Sequence, residues 1–334
     1  MKKLTVGLNG FGRIGRAFAR IALTRGTFDI ALINTRKTPT HLLAYLLQYD
    51  SIYRKFERTV VAREQAIEVD DVVVATSQVD SPEEIPWAQH NVDVVVDATG
   101  AFMTTADLQK HIGGGSVKTV ILTAPAKDEM PHCVLGVNDA SINFRKVQVI
   151  SNASCTTNSA APLIKVLHDT FGVEHAMLTT VHAYTSTQSL LDDANKNETR
   201  SRAADLSIIP TTTGAAEAVV RVIPELKGRI DGMSLRVPVP IVSFTDVTAQ
   251  LKRSTTVEEV NAAFKAAADG SMKGLMAYET TPLVSSDYIG NPHSSIFDAN
   301  YTKVVNERLV KVTGWYDNEW GYSSRLVDLV ERFA

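Results

Sequence analysis

Leu4-Thr5-Val6-Gly7-Leu8-Asn9-Gly10-Phe11-Gly12-Arg13-Ile14-Gly15 is the stretch of sequence that decides the fold. Its first half is apolar and strand-like, and its second half has the glycine spacing GxGxxG. The segment Arg13 to Arg25 follows with apolar residues at helical spacing, and Gly26 is placed as a helix stop. Such glycines permit a tight turn and the close approach of a pyrophosphate, which the helix N-terminus faces. The pattern predicts dinucleotide binding, and a purely structural glycine turn is the alternative.

Strand-like and helix-like segments alternate along the first 150 residues. The strand candidates are Leu4 to Asn9, Phe28 to Asn34, Val92 to Asp97, Val117 to Thr123 and Val147 to Ser151. This order predicts an α/β domain with a Rossmann-type, doubly wound parallel sheet.

The pattern changes after Asn158. One helix candidate, Ala160 to Phe171, precedes longer strand candidates at Ala176 to Ala183, Gly232 to Ile241 and Asp246 to Arg253. These segments predict a second, α+β domain with a mostly antiparallel sheet. The polar stretch from Thr185 to Ser207 is too long for an ordinary connection, which is typical of functional or interface loops.

Length and composition limit the possible classes of protein. A chain of 334 residues favours two domains, and the hydrophobic fraction of 44% with 21% charged residues is that of a globular protein without a membrane span. The N-terminus does not read as a secretory signal, so we expect a cytoplasmic protein. The net charge of −3 argues against nucleic acid as the main partner. We expect neither a disulfide between the two cysteines nor a metal site.

The end of the second strand candidate departs from the usual dinucleotide pattern. An acidic residue normally follows this strand and binds the ribose hydroxyls, but here the sequence is Asn34-Thr35-Arg36-Lys37. A hydroxyl and two cations suit an additional phosphate, whereas a carboxylate would repel one. The alternative is a solvated basic loop.

Cys155 is the candidate nucleophile. It lies between a strand and a helix in Ser151-Asn152-Ala153-Ser154-Cys155-Thr156-Thr157-Asn158, where the helix dipole and backbone N–H groups would stabilise a thiolate. Taken alone, the residue has an equally good interpretation as a buried structural cysteine. Cys133 has no such polar setting, and we interpret it as structural.

His182 is the candidate base. It ends a strand in Thr179-Thr180-Val181-His182-Ala183-Tyr184-Thr185, from which its imidazole can reach the cysteine. An imidazole beside a thiol can hold the thiolate as an ion pair and accept a proton during reaction. Spacing alone does not select it from the seven other histidines.

Taken together, these motifs resemble the glyceraldehyde-3-phosphate dehydrogenase family, including its NADP-accepting members. Three further segments carry the resemblance, which runs from Val6 to Leu329: Ile209-Pro210-Thr211-Thr212-Thr213-Gly214-Ala215-Ala216, Leu235-Arg236-Val237-Pro238 and Trp315-Tyr316-Asp317-Asn318-Glu319-Trp320-Gly321-Tyr322. The resemblance implies a homotetramer with an NAD(P)-binding domain at 1–153. It also implies a catalytic domain at 154–316, including the 185–207 loop, and a C-terminal helix at 317–334 that packs on the first domain.

The resemblance also implies the reaction. Cys155 would attack the aldehyde of glyceraldehyde 3-phosphate, and His182 would act as base while hydride leaves for the nicotinamide. The resulting thioester would be cleaved by inorganic phosphate to 1,3-bisphosphoglycerate, in glycolysis or gluconeogenesis. Erythrose-4-phosphate dehydrogenase activity and a separate role as a binding protein are the alternatives.

The family's binding positions map onto residues of this chain. Thr185 and Arg236 resemble the residues that bind the substrate phosphate, and Ser154, Thr156, Arg200, Thr213 and Gly214 resemble those around the attacking phosphate. The positions implied at the cofactor are Asn9, Gly10, Phe11, Gly12, Arg13, Ile14, Asn34, Thr35, Arg36, Thr99, Gly100, Thr123, Asn318 and Tyr322.

Several positions depart from the family pattern. The usual acidic residue is Thr35, and a Leu-Pro pair common in NAD-specific members is Asp193-Ala194. The change of an Asn-Asp pair to Ser186-Thr187 removes a carboxylate near Arg236, and Thr199 replaces a frequent second arginine. The cofactor is NAD or NADP, and Thr35, Arg36, Lys37 and Ala194 favour NADP, although Asp193 would oppose it if it faced the 2′-phosphate.

Overall fold

Residues 3–334 are described by a computed structural model in which the chain forms two units. The first unit contains the described chain up to Cys133 together with Ser141–Ala153 and Ser323–Ala334. The second contains Val134–Ala140 and Ser154–Tyr322. The sequence placed residues 134–140 in the first domain. They lie in the second unit because Gly136 packs there against Leu275, so closely that a Cβ at residue 136 would approach the Leu275 side chain to 2.7 Å.

The first unit is built on an eight-stranded sheet. Its strands and helices are β1 (Thr5–Asn9), α1 (Arg13–Arg25), β2 (Asp29–Thr35), α2 (Thr40–Gln48), β3 (Tyr49–Asp50), β4 (Arg54–Lys55), β5 (Val60–Ala62), β6 (Ala66–Val69), β7 (Val72–Gln78), β8 (Val94–Asp97), α3 (Thr105–Gln109), β9 (Thr119–Leu122) and β10 (Val149–Ser151). The strand order is β10-β9-β8-β1-β2-β7-β6-β5, while β3 and β4 pair separately. Strands β10 to β7 are parallel, and β6 and β5 continue the sheet antiparallel.

The predicted doubly wound parallel sheet is confirmed. Helix α1 has the predicted bounds and ends at Gly26, whose φ of 63° is the left-handed conformation that glycine adopts readily. All residues of β8 and β9 are buried, as expected for strands covered on both faces. The sequence did not predict β5 to β7, in which exposed residues such as Val72 and Val73 obscure the alternation.

The second unit contains a sheet of mixed direction with helices packed on it. Its elements are α4 (Cys155–Phe171), β11 (Val173–Ala183), β12 (Ile209–Thr211), α5 (Ala215–Val222), β13 (Ile230–Val237), β14 (Ser243–Leu251), α6 (Val257–Asp269), β15 (Met276–Glu279), β16 (Ser295–Asp298), β17 (Lys303–Val305) and β18 (Leu309–Tyr316). The order is β12-β13-β11-β14-β18-β16-β15, with β17 paired to β18. Only β11–β13 and β15–β16 are parallel pairs, so the predicted mostly antiparallel sheet is confirmed.

Helix α4 begins five residues earlier than the sequence predicted. Its first turn is polar, and apolar periodicity is visible only from Ala160 onward. The start is fixed by Ser154, whose side chain accepts a hydrogen bond from Thr157 N at 3.0 Å. Cys155 is therefore the first residue of the helix.

The last helix, α7 (Trp320–Glu331), brings the C-terminus to the first unit from Ser323 onward. Asp328 pairs with Arg25, and Glu331 accepts a hydrogen bond from Thr27 at 2.8 Å. Phe333 meets the Phe144 ring edge to face, with 5.3 Å between the centroids. Within residues 3–334, no helix is long and apolar enough to cross a membrane.

Candidate active site

The turn before α4 sets the position of the Cys155 thiol. Ala153 has a φ of 55°, which is uncommon for a residue other than glycine and marks a sharp turn between β10 and α4. Cys155 follows as the first helical residue and is half-buried. Its sulfur therefore lies at the positive end of a helix 17 residues long.

Strand β11 brings His182 to the thiol. The buried imidazole lies near the end of this strand, and its Nε2 is 3.4 Å from Cys155 Sγ. The parallel register pairs His182 with Arg236 of β13. As a result, Arg236 Nη1 lies 2.7 Å from His182 Nδ1 and donates a hydrogen bond to Ala183 O at 3.1 Å.

Burial and the charge of Arg236 shift the pKa values of this pair. Burial and then the neighbouring Arg236 lower the pKa of His182 from 6.5 to about 3. Burial also raises the pKa of the Cys155 thiol, against the opposing charge of Arg236. The structure thus differs from the expected thiolate–imidazolium ion pair, because a cation beside Nδ1 disfavours a second positive charge on the ring. Two groups compete for Nδ1: Ala183 O, at 2.7 Å, can only accept from it, and the Arg236 guanidinium, also at 2.7 Å, can only donate to it. Nε2 is an acceptor for the thiol proton in the tautomer that has its proton on Nδ1, in which Nδ1 donates to Ala183 O.

Two arginines in this part of the unit lack a carboxylate partner. Among the described residues, neither Arg200 nor Arg236 forms an ion pair, and the buried Nε of Arg236 has no hydrogen-bond partner. Arg200 Nε donates to Thr211 at 3.1 Å, and its charge contributes to the lowered pKa of His182. Unpaired guanidinium groups with free donors are what a phosphate-binding site requires.

The other predicted phosphate residues lie on loops and at helix starts. Thr185 Oγ1 is 2.8 Å from Thr187 Oγ1. Gly214 caps the N-terminus of α5, and the Thr213 hydroxyl accepts from Ala215 N at 3.2 Å. The hydroxyl of Ser154 caps α4, so it is engaged within the protein.

The sequence did not identify two groups that hold these residues. Tyr316, on β18, is buried and lies 3.0 Å from Thr156 Oγ1, 2.9 Å from Thr180 Oγ1, and edge-on to the His182 ring. Ser243 accepts from Ala183 N at 3.1 Å and donates to Asn318 Oδ1 at 3.0 Å, which leaves the Asn318 amide group as a donor. Both residues touch the site across strands, a relationship that a linear motif does not reveal.

A cavity of about 700 Å³ lies in the first unit at the carboxyl ends of β1, β2 and β8. This is the edge at which doubly wound sheets bind nucleotides, and the volume suits a nucleotide. Seven of the predicted cofactor residues line the cavity: Asn9, Gly10, Phe11, Gly12, Thr35, Arg36 and Thr99.

The glycines of the first motif fit a bound pyrophosphate. Gly10 has a φ of 94°, and a Cβ there would come within 2.8 Å of the backbone of Ala98 and Thr99. A Cβ at Gly15 would come within 2.3 Å of Gly10 O, so this glycine permits the close packing of helix and turn. Gly12 has open space around its missing side chain and caps α1, which has no acidic residue in its first turn. The backbone N–H groups of the turn therefore remain accessible to an anion.

Arg36 lies on the wall of the cavity beside Asp80, a residue that was not among the predicted cofactor residues. Its Nε donates to Asp80 Oδ1 at 3.1 Å, and both residues line the cavity. Thr35 is buried and donates to Thr38 O at 3.3 Å, while Lys37 is exposed and does not line the cavity. Asp80 thus supplies the carboxylate that is missing after β2.

Five predicted cofactor residues of the first unit do not line the cavity: Arg13, Ile14, Asn34, Gly100 and Thr123. Arg13 instead pairs with Asp50 at 2.6 Å. The amide of Asn34 is used in hydrogen bonds to Asn9 and Val79. Asn318 and Tyr322 belong to the second unit.

The chain is similar to known proteins over most of its length. Residues 4–105 match the family described as the glyceraldehyde 3-phosphate dehydrogenase NAD binding domain, and residues 154–318 match the C-terminal domain of the same family. The chain is 50% identical over 331 residues to the glyceraldehyde-3-phosphate dehydrogenase of Mycobacterium avium, covering 97% of each protein. It is 48% identical over 329 residues to the enzyme of that name from Geobacillus stearothermophilus, covering 98% of each. It is also 48% identical over 327 residues to glyceraldehyde-3-phosphate dehydrogenase 2 of Streptomyces avermitilis, covering 98% of this chain and 97% of that protein. The chain belongs to the glyceraldehyde-3-phosphate dehydrogenase family.

Proposed function

We propose that this chain catalyses the phosphorylating oxidation of D-glyceraldehyde 3-phosphate to 1,3-bisphosphoglycerate, with Cys155 as nucleophile and His182 as base. The observation that carries the proposal is the 3.4 Å distance between Cys155 Sγ and His182 Nε2, beside Arg236 and its unpartnered Nε. A thiol with a base supports covalent catalysis on an aldehyde, and the guanidinium supports binding of a phosphorylated one. The family to which the chain belongs supports the same reaction.

The first step is attack of the Cys155 sulfur on the aldehyde carbon. The thiol proton passes to His182 Nε2, the sulfur–carbon bond forms, and the carbonyl oxygen takes up the electron pair. His182 then returns the proton to this oxygen, which gives a thiohemiacetal hydroxyl. A neutral imidazole is required for the first transfer, and its low pKa provides one at neutral pH.

Oxidation requires a second proton transfer to the same nitrogen. His182 Nε2 takes the hydroxyl proton while the carbonyl double bond re-forms and the carbon loses a hydride. When bound, the nicotinamide cofactor supplies the acceptor for this hydride. Asn318, held by Ser243 with its amide N–H₂ free to donate, suits the orientation of the nicotinamide carboxamide.

Inorganic phosphate then attacks the Cys155 thioester. The carbon–sulfur bond breaks, the thiolate leaves, and His182 returns its proton to the sulfur, while the proton of the attacking phosphate goes to solvent. Arg200, Thr213 and the start of α5 at Gly214 would hold this phosphate. The hydroxyl of Thr156 is engaged with Tyr316, and we assign it to positioning.

The substrate phosphate at Arg236 and Thr185 would also assist His182. Arg236 lowers the pKa of the imidazole, and a phosphate bound to Arg236 offsets that positive charge. Binding of the substrate therefore raises the pKa of His182 and makes it a stronger base when the proton must be removed.

For the cofactor, we propose NADP in preference to NAD. Arg36 on the cavity wall provides a partner for a 2′-phosphate, and Thr35 takes the place of a repelling carboxylate. Asp80 works against this preference because it already holds Arg36. We also propose a cytoplasmic homotetramer that acts on small molecules, with Asp193 and Ala194 in the loop that borders a neighbouring subunit.

Replacement of each cysteine tests the proposed reaction. Cys155→Ala is expected to abolish dehydrogenase activity, while Cys133→Ala keeps most of it, because Cys155 lies 3.4 Å from the His182 imidazole and Cys133 is buried in the first unit. The measurement is cofactor reduction with glyceraldehyde 3-phosphate and inorganic phosphate, on variants shown to be folded by circular dichroism. Equal losses in the two folded variants would reject Cys155 as the nucleophile.

A further inference from the structure

A row of buried polar side chains crosses the sheet of the first unit below the nucleotide cavity. Asn9 is in register with Asp97 of β8 on one side and with Asn34 of β2 on the other. Asn34 is in register in turn with Ser77 of β7. Asn9, Asn34 and Asp97 are at most 3% exposed, so their polar groups depend on one another for hydrogen bonds.

One end of the row has a fixed hydrogen-bond direction. Val79 N donates to Asn34 Oδ1 at 3.0 Å, and Val79 O accepts from Asn34 Nδ2 at 3.0 Å. A backbone N–H cannot accept and a carbonyl cannot donate, so the Asn34 amide has only one orientation. Its Nδ2 also donates to Asn9 Oδ1 at 2.8 Å, which turns Asn9 Nδ2 toward Asp97 Oδ2 at 2.8 Å.

The other end is fixed by an indole. Trp87 Nε1 donates to His111 Nδ1 at 3.1 Å, and an indole N–H can only donate. His111 Nδ1 therefore carries no proton, and the proton of the neutral imidazole is on Nε2. This nitrogen lies 3.3 Å from Asp97 Oδ2 and donates to it. Trp87, His111 and Asp97 are all fully buried.

Thr99 adds two more donors to the same carboxylate. Its backbone N donates to Asp97 Oδ1 at 3.1 Å, and its hydroxyl is 2.7 Å from that oxygen. The hydroxyl already accepts from Ala101 N at 3.1 Å, so its own proton is available for Asp97. All four hydrogen bonds to the Asp97 side chain thus come from donors, so both of its oxygens act as acceptors.

We propose that Asp97 is a positioning residue for the dinucleotide cavity, acting as the single acceptor that holds Asn9 and Thr99 in place on its wall. Both of these residues line the cavity, as does Val79 at the far end of the row. The proposal rests on the function of this cavity as the dinucleotide site. Asp97 holds Asn9 and Thr99 directly and reaches the Asn34 end of the row, next to Thr35, only through Asn9, so we expect it to affect NAD and NADP to a similar degree.

An amide cannot replace this carboxylate. Asn at residue 97 has one acceptor oxygen and one N–H₂ group, so either Thr99 or the pair Asn9 and His111 would face a donor. The Val79 backbone and the Trp87 indole cannot exchange donor and acceptor roles, so the other hydrogen bonds of the row cannot adjust to the amide. Glutamate is larger but accepts at both oxygens, so the direction of the hydrogen bonds, and not the size of the side chain, determines which substitution is tolerated.

The test is the dissociation constant of NAD and of NADP, measured by titration calorimetry on wild type, Asp97→Asn and Asp97→Glu. We expect Asp97→Asn to weaken both cofactors by a similar factor of about ten or more, and Asp97→Glu to bind more tightly than Asp97→Asn. Asp298→Asn is the matched control, because Asp298 is equally buried and accepts from the Trp315 indole at 3.0 Å, but belongs to the second unit. It should lower the melting temperature without changing either dissociation constant.

Unchanged cofactor binding in folded Asp97→Asn, or weaker binding by Asp97→Glu than by Asp97→Asn, would overturn the proposal. If Asp97→Asn does not fold, Thr99→Val and Thr99→Ser provide the test at an exposed residue. Thr99→Val loses the hydroxyl that donates to Asp97 and should weaken the binding of both cofactors, whereas Thr99→Ser retains this hydroxyl. Equal cofactor affinities of these two variants would also overturn the proposal. Failure of the wild type to bind either cofactor would instead reject the cavity as the dinucleotide site.

Discussion

Arg236 Nη1 lies 2.7 Å from Nδ1 of His182, the ring nitrogen that does not face the Cys155 sulfur. The parallel register of β11 and β13 makes this contact, since the two residues are direct neighbours across the strands. A cation at this distance keeps the imidazole neutral, and burial acts in the same direction. The pair therefore links the binding of a phosphorylated substrate to the basicity of the group that removes its proton.

The link between Arg236 and His182 predicts how stability depends on pH. The folded-state pKa of His182, about 3, lies below the ordinary value of 6.5, so the unfolded chain binds a proton that the folded chain does not. This contribution to stability is complete above pH 6.5 and is lost as the pH falls toward 3, at about 1.4 kcal/mol per pH unit. Arg236→Ala removes the second cause of the low pKa and leaves burial, so the folded-state pKa of the variant should lie above about 3 and below 6.5. The variant should therefore lose less stability than the wild type between pH 7.5 and pH 3.5, where the wild-type imidazole is still neutral.

Urea unfolding at the two pH values, at one protein concentration, measures this difference. Arg308→Ala is the control, because Arg308 forms an ion pair with Glu174 at 3.2 Å in the same unit and is not among the groups that lower the pKa of His182. The same loss between pH 7.5 and pH 3.5 in Arg236→Ala and in wild type would contradict the coupling.

His182 should act as a base over a wide pH range. We expect His182→Asn and His182→Gln to slow the first turnover of cofactor reduction by roughly 10²- to 10⁴-fold, the usual contribution of general acid–base catalysis. In the wild type the second-order rate constant of this turnover, which reports the free enzyme, should be nearly constant between pH 5.5 and pH 8, because without substrate the imidazole has a pKa of about 3 and stays neutral throughout. Rapid-mixing measurements without inorganic phosphate isolate the step, and a rate that falls with an apparent pKa near 6.5 would contradict the low value.

The sequence predicts the parts of the fold that depend on local pattern. Helix α1 and the buried strands β8 and β9 are confirmed because apolar periodicity and glycine punctuation encode them directly. The start of α4 was wrong by five residues because a capping serine, and not apolar spacing, determines it. Residues 134–140 were assigned to the wrong unit because the packing of Gly136 on Leu275 joins segments far apart in the chain.

The candidate site likewise contains residues that local sequence motifs identify and residues that they do not. Sequence motifs identify Cys155 and His182, and the structure brings the two within 3.4 Å. Tyr316, Ser243 and Asp80 were missed, because each reaches its partners through contacts between separate strands or loops. Likewise, the low pKa of His182 follows from its burial and from the register of β11 and β13, which places Arg236, 54 residues away in sequence, beside the imidazole. No local pattern contains either cause.

Arg36 and Asp80 together should set the choice between NADP and NAD. Their side chains are 77% and 59% exposed, so the ion pair between them is worth no more than about 1 kcal/mol, and a bound phosphate can displace it. If Arg36 binds the 2′-phosphate, Asp80 competes with that phosphate for the guanidinium and also repels it. Asp80→Asn should therefore tighten NADP binding, whereas Arg36→Ala should weaken it.

The size of each effect follows from the contact that is removed. Arg36→Ala loses one charge-assisted hydrogen bond made only by NADP, which at an exposed position corresponds to roughly tenfold in affinity, and it should leave NAD nearly unchanged. The double change Thr35→Asp with Arg36→Leu should reverse the preference, since the new carboxylate would bind the ribose hydroxyls and repel the phosphate.

The measurement is the ratio of kcat/KM for NADP to that for NAD in wild type, Asp80→Asn, Arg36→Ala and the double variant. An unchanged ratio in Arg36→Ala would mean that Arg36 belongs to a solvated loop, and the proposed preference for NADP would fail. If the ratio rises in Asp80→Asn and this rise disappears when Arg36→Ala is added, Asp80 acts through the guanidinium and not through a direct contact with the cofactor.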